Sequence, residues 1–311
     1  DNGYLSGTDI DSSGGVPIWT YKGTLTRTTN WNTLSTNPMT NVIKYDTKIL
    51  NSFANMDSDA VVFITTLGLT DKTQINAINQ LVRRLKAQNL WTKLNAIYPF
   101  IGGTSTTHSY NLKNTSQFQI TWVGTVTHNS NGITPNGTNG YGNTNYNPSL
   151  QGVTNNESIG IYSRTSAGVG VAGTALDMGA SVGGGRVILS IRAAIGTVNY
   201  GTLQLNDSTT SLIQTSTNLD GSGLFIGSRT SSTLLTKSRN GVVTDTNINA
   251  NAGVPVNLNV YIGCRNNAGA AAGFISRNYA FAFLGKGLDS TDLGNLNDII
   301  QQYQIILGRK V

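Results

Sequence analysis

The sequence predicts a mainly β protein, a two-sheet antiparallel sandwich with a helical lead-in and a closing C-terminal helix. Three observations predict it. From about residue 100, apolar residues recur with period two in short runs separated by turn-forming residues. Before residue 100 and after residue 289 the apolar spacing is helical. Strand–helix–strand alternation is absent between those regions, which argues against a parallel α/β sheet. Composition agrees. Of 311 residues only 12% are charged, and Asn, Thr, Ser and Gly fill the polar quota, as suits a loop-rich exterior protein. The 38% apolar fraction, with 36 glycines, suffices for a full core.

Residues 1–55 lack a steady period and read as an arm or attachment segment. Trp19 to Leu25 could form a strand, and Trp19, Tyr21 and Trp31 are its candidate oligomer contacts. Residues 56–99 read as the helical lead-in. Asp57 to Leu67 predicts a short helix ended by Gly68. Thr70 is the expected N-cap of the next, whose apolar stripe is Ile75, Ile78, Leu81, Val82 and Leu85. Arg83, Arg84 and Lys86 fall off the stripe near the C-terminal end, where cations suit the dipole. Trp91, Leu94 and Ile97 predict a further short helix, stopped by Pro99.

Residues 100–311 read as the sandwich with its closing helix. Phe118, Ile120 and Trp122 alternate with Gln119, Thr121 and Val123. Val187, Leu189, Ile191 and Ala193 alternate with Arg186, Ile188, Ser190 and Arg192, and Leu203 and Leu205 follow. Val256, Leu258, Val260 and Ile262 alternate with Asn257, Asn259 and Tyr261, and Tyr279, Phe281 and Phe283 with Ala280, Ala282 and Leu284. Asn240-Gly241 predicts a type I′ hairpin, because both residues tolerate positive φ. Leu293, Leu296, Ile300, Tyr303 and Leu307 form one stripe of a last helix, begun at Asp289, Ser290 and Asp292, ended by Gly308 and expected to pack on its own sandwich.

Catalytic arrangements are sparse. Glu157 is the only glutamate, so paired glutamates for glycoside hydrolysis are excluded, and the aspartates Asp177, Asp207, Asp220 and Asp245 stand isolated. His108 and His128 lie in polar stretches without a nucleophile elbow and read as hydrogen-bonded loop residues. Cys264, the one cysteine, reads as a buried thiol and leaves no intramolecular disulfide. No metal-ligand spacing occurs. A calcium loop at Asn206-Asp207-Ser208 or Asn218-Leu219-Asp220-Gly221 is the weaker alternative to ordinary turns, and no cofactor is expected. Gly183-Gly184-Gly185 precedes a strand rather than a helix and so is no phosphate loop. The net charge of +6, 21 basic against 15 acidic residues, is spread along the chain. That pattern argues against a nucleic-acid partner and for mild attraction to anionic glycans or cell surfaces. No apolar run is long enough to enter a membrane as a helix. The remaining candidate is a glycan-binding loop between Pro135 and Asn147. Tyr141 and Tyr146 would stack on sugar rings while Asn139, Asn143 and Asn145 bond their hydroxyls, the alternative being an ordinary hairpin whose tyrosines cover the sandwich edge.

Three stretches carry a family resemblance: Leu90 to Thr104, His108 to Lys113, and Ala280 to Leu288 leading into the last helix. With the turn at Pro135 to Thr138 and the strand-like Ile161 to Arg164, the region 56–311 resembles the concanavalin A-like (laminin G-like) jelly-roll domains of tailed-phage virion proteins, especially from phages of Bacteroidetes hosts. The resemblance implies a non-enzymatic structural or adhesive role on the virion exterior, as a fibre, decoration or tail-associated protein. It also implies a homo-oligomer, trimeric by analogy with fibres, with other virion proteins and a host-surface glycan as partners. A lectin-like adhesin of a bacterial cell surface, or a secreted one, is the alternative. The resemblance carries over no catalytic or metal-binding residue.

Overall fold

The computed structural model describes residues 4–6, 20–22, 56–167, 169–170, 175–195, 198–206, 213–215, 218–250 and 253–311. The chain divides into two compact units, Asp1–Met56 and Asp57–Val311. In the first, Tyr4–Ser6 pairs antiparallel with Thr20–Lys22, so Leu5 stands opposite Tyr21. Trp19, Trp31 and the side chain of Tyr21, the expected oligomer contacts, lie outside the described residues.

The second unit starts with two helices. Helix α1 (Ser58–Leu67) is capped by Asp57, which accepts from Asp59 N, and ends at Gly68 in the left-handed region. Helix α2 (Lys72–Ala87) is capped by Asp71 rather than the expected Thr70. The Asp71 carboxylate accepts from Gln74 N at 2.8 Å, a charge-assisted bond that a threonine hydroxyl does not match. Ala77, Ile78, Leu81, Val82 and Leu85 form its buried face. Lys86 reaches back to Asp57 and Asp59 at 2.6 Å each, tying the end of α2 to the start of α1.

The short helix expected around Trp91 to Ile97 is instead a strand, Leu94–Tyr98. Over so few residues the two periods cannot be told apart, and pairing with Tyr279–Gly285 decides for strand. Two other expected strands are shorter than their alternation. Phe118 has φ 54°, which breaks the ladder so that the strand begins at Thr121. Val256 and Val260 are fully buried, yet only Tyr261–Ile262 of that run pairs.

Two large sheets face each other. The first runs Ile213–Thr215, Val198–Leu205, Gly185–Ile195, Met178–Val182, Tyr261–Ile262, Tyr141–Asn143, Thr121–Val123. Arg265–Asn267 also joins Met178–Val182, in parallel, and carries Ala270–Ala272. The second runs Val242–Asn247, Leu235–Arg239, Gly223–Arg229, Glu157–Ser163, Tyr279–Gly285, Gly132–Pro135, Val126–Asn129, with Leu94–Tyr98 also on Tyr279–Gly285. Their inner faces interdigitate as one core, including Val187, Leu189, Leu203 and Ile262 from the first and Ile159, Ile161, Phe225, Ala282 and Leu284 from the second. The protein is thus a jelly-roll-like antiparallel sandwich with a helical lead-in and a C-terminal helix. The Asn240-Gly241 turn is present, with φ 49° and 79°, joining Leu235–Arg239 to Val242–Asn247.

The last helix, α4, spans Ser290–Ile306; a five-residue helix, α3, at Ser105–Ser109 lies between Leu94–Tyr98 and the other sandwich strands. Asp289 and Asp292 form a reciprocal capping box on α4. Helix α4 lies on the outer face of the second sheet. It touches Gly223–Arg229 and Val242–Asn247, sets Tyr303 edge-on to Phe281 at 5.8 Å, and packs against α2 behind it. Glu157–Ser163, Gly223–Arg229 and Tyr279–Gly285 are therefore buried on both faces. Gly160 has no side chain because an added Cβ would lie 2.1 Å from the Phe283 ring on that helix-facing side. Arg309, just beyond the Gly308 that ends α4, is 2% exposed. Its guanidinium donates to Phe100 O, Pro99 O and Ala280 O, and its Nε to Gln304 Oε1, locking the chain end onto the sheet.

Candidate ligand-binding face

The helices occupy the outer face of the second sheet. The outward face of the first sheet carries no long helix among the described residues, and strand parity decides which side chains stand on it. Thr121 and Val123 pair with Asn143 and Tyr141, and Tyr261 pairs with Asn143, so these five share one face. Gly142, Trp122 and Ile262 take the opposite face; a Cβ on Gly142 would meet the Trp122 ring at 2.7 Å.

An aromatic group forms on the outward face. The half-buried Tyr141 ring lies over that of Tyr261, centroids 4.6 Å apart and planes within 27°. Phe274, half-buried, closes one side at 6.2 Å from Tyr141. Tyr261 and Phe274 were not among the sequence candidates. The signal for Tyr261 was present, since it alternates with the core residues Val260 and Ile262. Phe274 comes from the link between Ala270–Ala272 and Ile275–Ser276, which no local pattern places here.

The other loop candidates are put to different uses. Tyr146 is corrected: its ring is fully buried in the core, edge-on to Phe118 at 5.1 Å, and its hydroxyl accepts from Asn95 at 3.2 Å. It has no face to offer a sugar. Asn139 Oδ1 accepts from Asn136 Nδ2 at 2.8 Å and from Thr125 N at 3.3 Å, holding the turn. Asn145, at φ 55°, donates to Gln119 O and Thr121 Oγ1 and accepts from Asn259. Asn143 uses Oδ1 for Asn145 N, which leaves its Nδ2 beside the tyrosine pair.

The ionisable groups that could do chemistry are mostly inside and occupied. Asp177 and Arg277 pair at 3.0 Å with neither side chain exposed. Asp177 also accepts from Tyr279 OH and Ile191 N at 2.6 Å each, so it organises the core. Glu157 is fully buried as the first residue of its strand, where the chain leaves the Asn155-Asn156 turn. Burial pushes its carboxyl up to about 8, against the pull of Arg229 and Asn206. His108 and His128 are not separate loop residues: their Nδ1 atoms lie 3.0 Å apart, with His108 in α3 and His128 in Val126–Asn129. Burial, with His128 and Arg309 nearby, lowers His108 to about 3. Cys264 is fully buried and its thiol is pushed up to about 12 by burial. Asp220 is held by Arg239 and by Ser222, within its own turn. Asp207 and Ser208 lie outside the described residues. Among the described residues no three His, Cys, Asp or Glu side chains gather as a metal site. No helix among them is long and apolar enough to cross a membrane.

No protein-family model matches the chain, and no curated protein matches it. Among solved structures it is similar to Domain 4 of AbnA, a GH43 extracellular arabinanase from Geobacillus stearothermophilus, in complex with arabinotriose. That match has TM-score 0.44 and 14% identity over 66% of this chain and 98% of that one. It is similar to a structure of botulinum neurotoxin type C described with two ganglioside molecules, TM-score 0.45, 13% identity, 69% of this chain and 53% of that one. It is also similar to a mutant Trypanosoma rangeli sialidase with trans-sialidase activity, TM-score 0.46, 12% identity, 73% of this chain and 39% of that one. The chain thus spans about half or less of the latter two.

Proposed function

We propose that this chain is a non-catalytic, saccharide-binding module that works on an outer surface, with the Tyr141–Tyr261 pair as its platform. The observation that carries this reading is the half-exposed Tyr141 ring, held flat on Tyr261 on the sheet face the helices leave open. A sugar ring presents an apolar C–H face that packs on an aromatic plane, and a platform already braced from behind loses little entropy on binding. Asn143 Nδ2 and Thr121 supply polar groups at its edge. The test is a glycan array with the full chain and with Tyr141→Ala. The variant is expected to lose binding while its Tm stays that of the parent, because the ring is not part of the core. Undiminished binding by the variant would overturn the site.

The proposed setting is the exterior of a tailed-phage virion, as the resemblance of residues 56–311 implies, with a bacterial cell surface as the alternative. The separate compact unit Asp1–Met56 supports an attachment role for the arm, with Trp19, Tyr21 and Trp31 as chain–chain contacts. Peptide mass spectrometry on density-purified particles decides between the settings. Stoichiometric peptides support the virion, and peptides confined to the cell-surface fraction support the bacterial adhesin.

A further inference from the structure

The outward face of the first sheet carries a second cluster, next to the tyrosines. Ile262 pairs with Met178; the chain then turns at Gly263, φ 87°, and Arg265 pairs in parallel with Gly179. Met178 points into the core, so Gly179, Ser181 and their partners Arg265 and Asn267 point outward. On the other side of the same strand, Arg186 pairs with Ser181. Two arginines therefore flank one strand on one face, offset by two residues along it, their backbones about 12 Å apart, a gap two arginine side chains can close. Between them stand only a glycine and a serine. The contacts agree with this parity: Arg186 Nη1 donates to Gln204 Oε1 at 3.5 Å, and Ser181 Oγ to Asn267 Oδ1 at 3.1 Å.

What these arginines lack among the described residues is a counter-charge. Among the described residues the ion pairs involve other side chains, and the Nε of both Arg186 and Arg265 is buried with no hydrogen-bond partner. Elsewhere in this protein the buried guanidiniums of Arg277 and Arg309 are bound by a carboxylate or by carbonyls. The two cations also oppose each other: burial and the nearby Arg186 both lower the pKa of Arg265. Holding two guanidiniums together without an anion is unfavourable, and one anion accepting from both removes the cost. Both side chains are partly open to solvent, so a ligand can reach them.

We propose that Arg186 and Arg265 form an acid-recognising subsite beside the Tyr141–Tyr261 platform, and that the saccharide it selects carries a carboxylate or a sulfate. The inference rests on the saccharide-binding reading and narrows its ligand class. Isothermal titration of the full chain with oligogalacturonate, its methyl ester and a sulfated galactan oligosaccharide tests it, using the parent, Arg186→Gln, Arg265→Gln and Tyr141→Ala. An acidic oligosaccharide is expected to bind, with affinity falling as salt rises. Each glutamine variant is expected to weaken it about tenfold, the loss of one charge-assisted contact, while leaving the ester unaffected. Preference for the uronate or for the sulfated sugar identifies which anion is read. Acidic-sugar binding unchanged in both arginine variants but lost in Tyr141→Ala would overturn the subsite and keep the platform. If no sugar binds, titration with sodium sulfate decides alone. Chemical-shift changes at the two arginines that vanish in the variants uphold the anion site without the saccharide reading, and their absence overturns it.

Discussion

Two buried ionisable residues give this protein opposed pH dependences. Glu157 is protonated in the fold up to about 8 and, at an ordinary 4.5, loses its proton earlier in the unfolded chain. Between those values the folded state binds more protons, so the Glu157 contribution is full below about 4.5 and is lost as pH rises towards 8. His108 runs the other way. Its folded value is about 3 against 6.5, so the unfolded chain binds the extra proton in that window and stability is lost as pH falls through it. Denaturant melts at stepped pH are expected to show both arms. Glu157→Gln should flatten the alkaline arm, by an amount on the order of a few kcal/mol, and His108→Asn the acid arm. A parent profile that rises steadily from acid to alkaline pH would contradict the Glu157 assignment. Neither environment was legible in the sequence. Asn155 to Ser158 reads as a turn entering a strand, which is where Glu157 stands, but the burial comes from the pairing of that strand on both sides.

At the scale of elements, capping and turns follow local chemistry and were legible. Gly68, the Asn240-Gly241 turn and the Asp289–Asp292 box all occur where their residues imply. Asp289→Ala is expected to cost about 1 kcal/mol by loss of the N-cap bond, with Asp289→Asn retaining most of it; thermal melts check both. Equal losses in the two variants would mean the charge rather than the hydrogen bond matters. The strand at Leu94–Tyr98 was misread as helix because its identity is supplied by a partner almost at the other end of the chain. The same reason explains Tyr146. Its loop composition is that of an exposed turn, but the chain there crosses the sandwich and seats the ring beside Phe118 and Asn95.

For the whole molecule, the helices divide the labour between the two sheets. By covering one side of the second sheet they make it an internal layer, and they leave the outward face of the first without a long helix among the described residues. This division predicts that residues 57–311, expressed alone, unfold in one cooperative transition and keep the saccharide affinity of the full chain, since the platform and both arginines lie within that unit. Loss of binding in a folded 57–311 piece would bring the arm into the site. A changed oligomeric state with affinity unchanged would instead assign the arm to chain–chain contact.

By itself the sequence determined what is set by near neighbours: the mainly β class, the helices at each end, most caps and turns, and the alternation that puts Tyr261 on the face opposite the core. These depend on backbone preference and on period, which a few adjacent residues express. Tertiary structure alone decided what depends on residues far apart in the chain. It brought Phe274 to the tyrosines, set Arg186 and Arg265 on either side of one strand, buried Glu157 and His108, and turned Arg309 inward. Burial and charge are properties of what surrounds a side chain. In a sandwich those surroundings come from strands and helices that no local pattern joins.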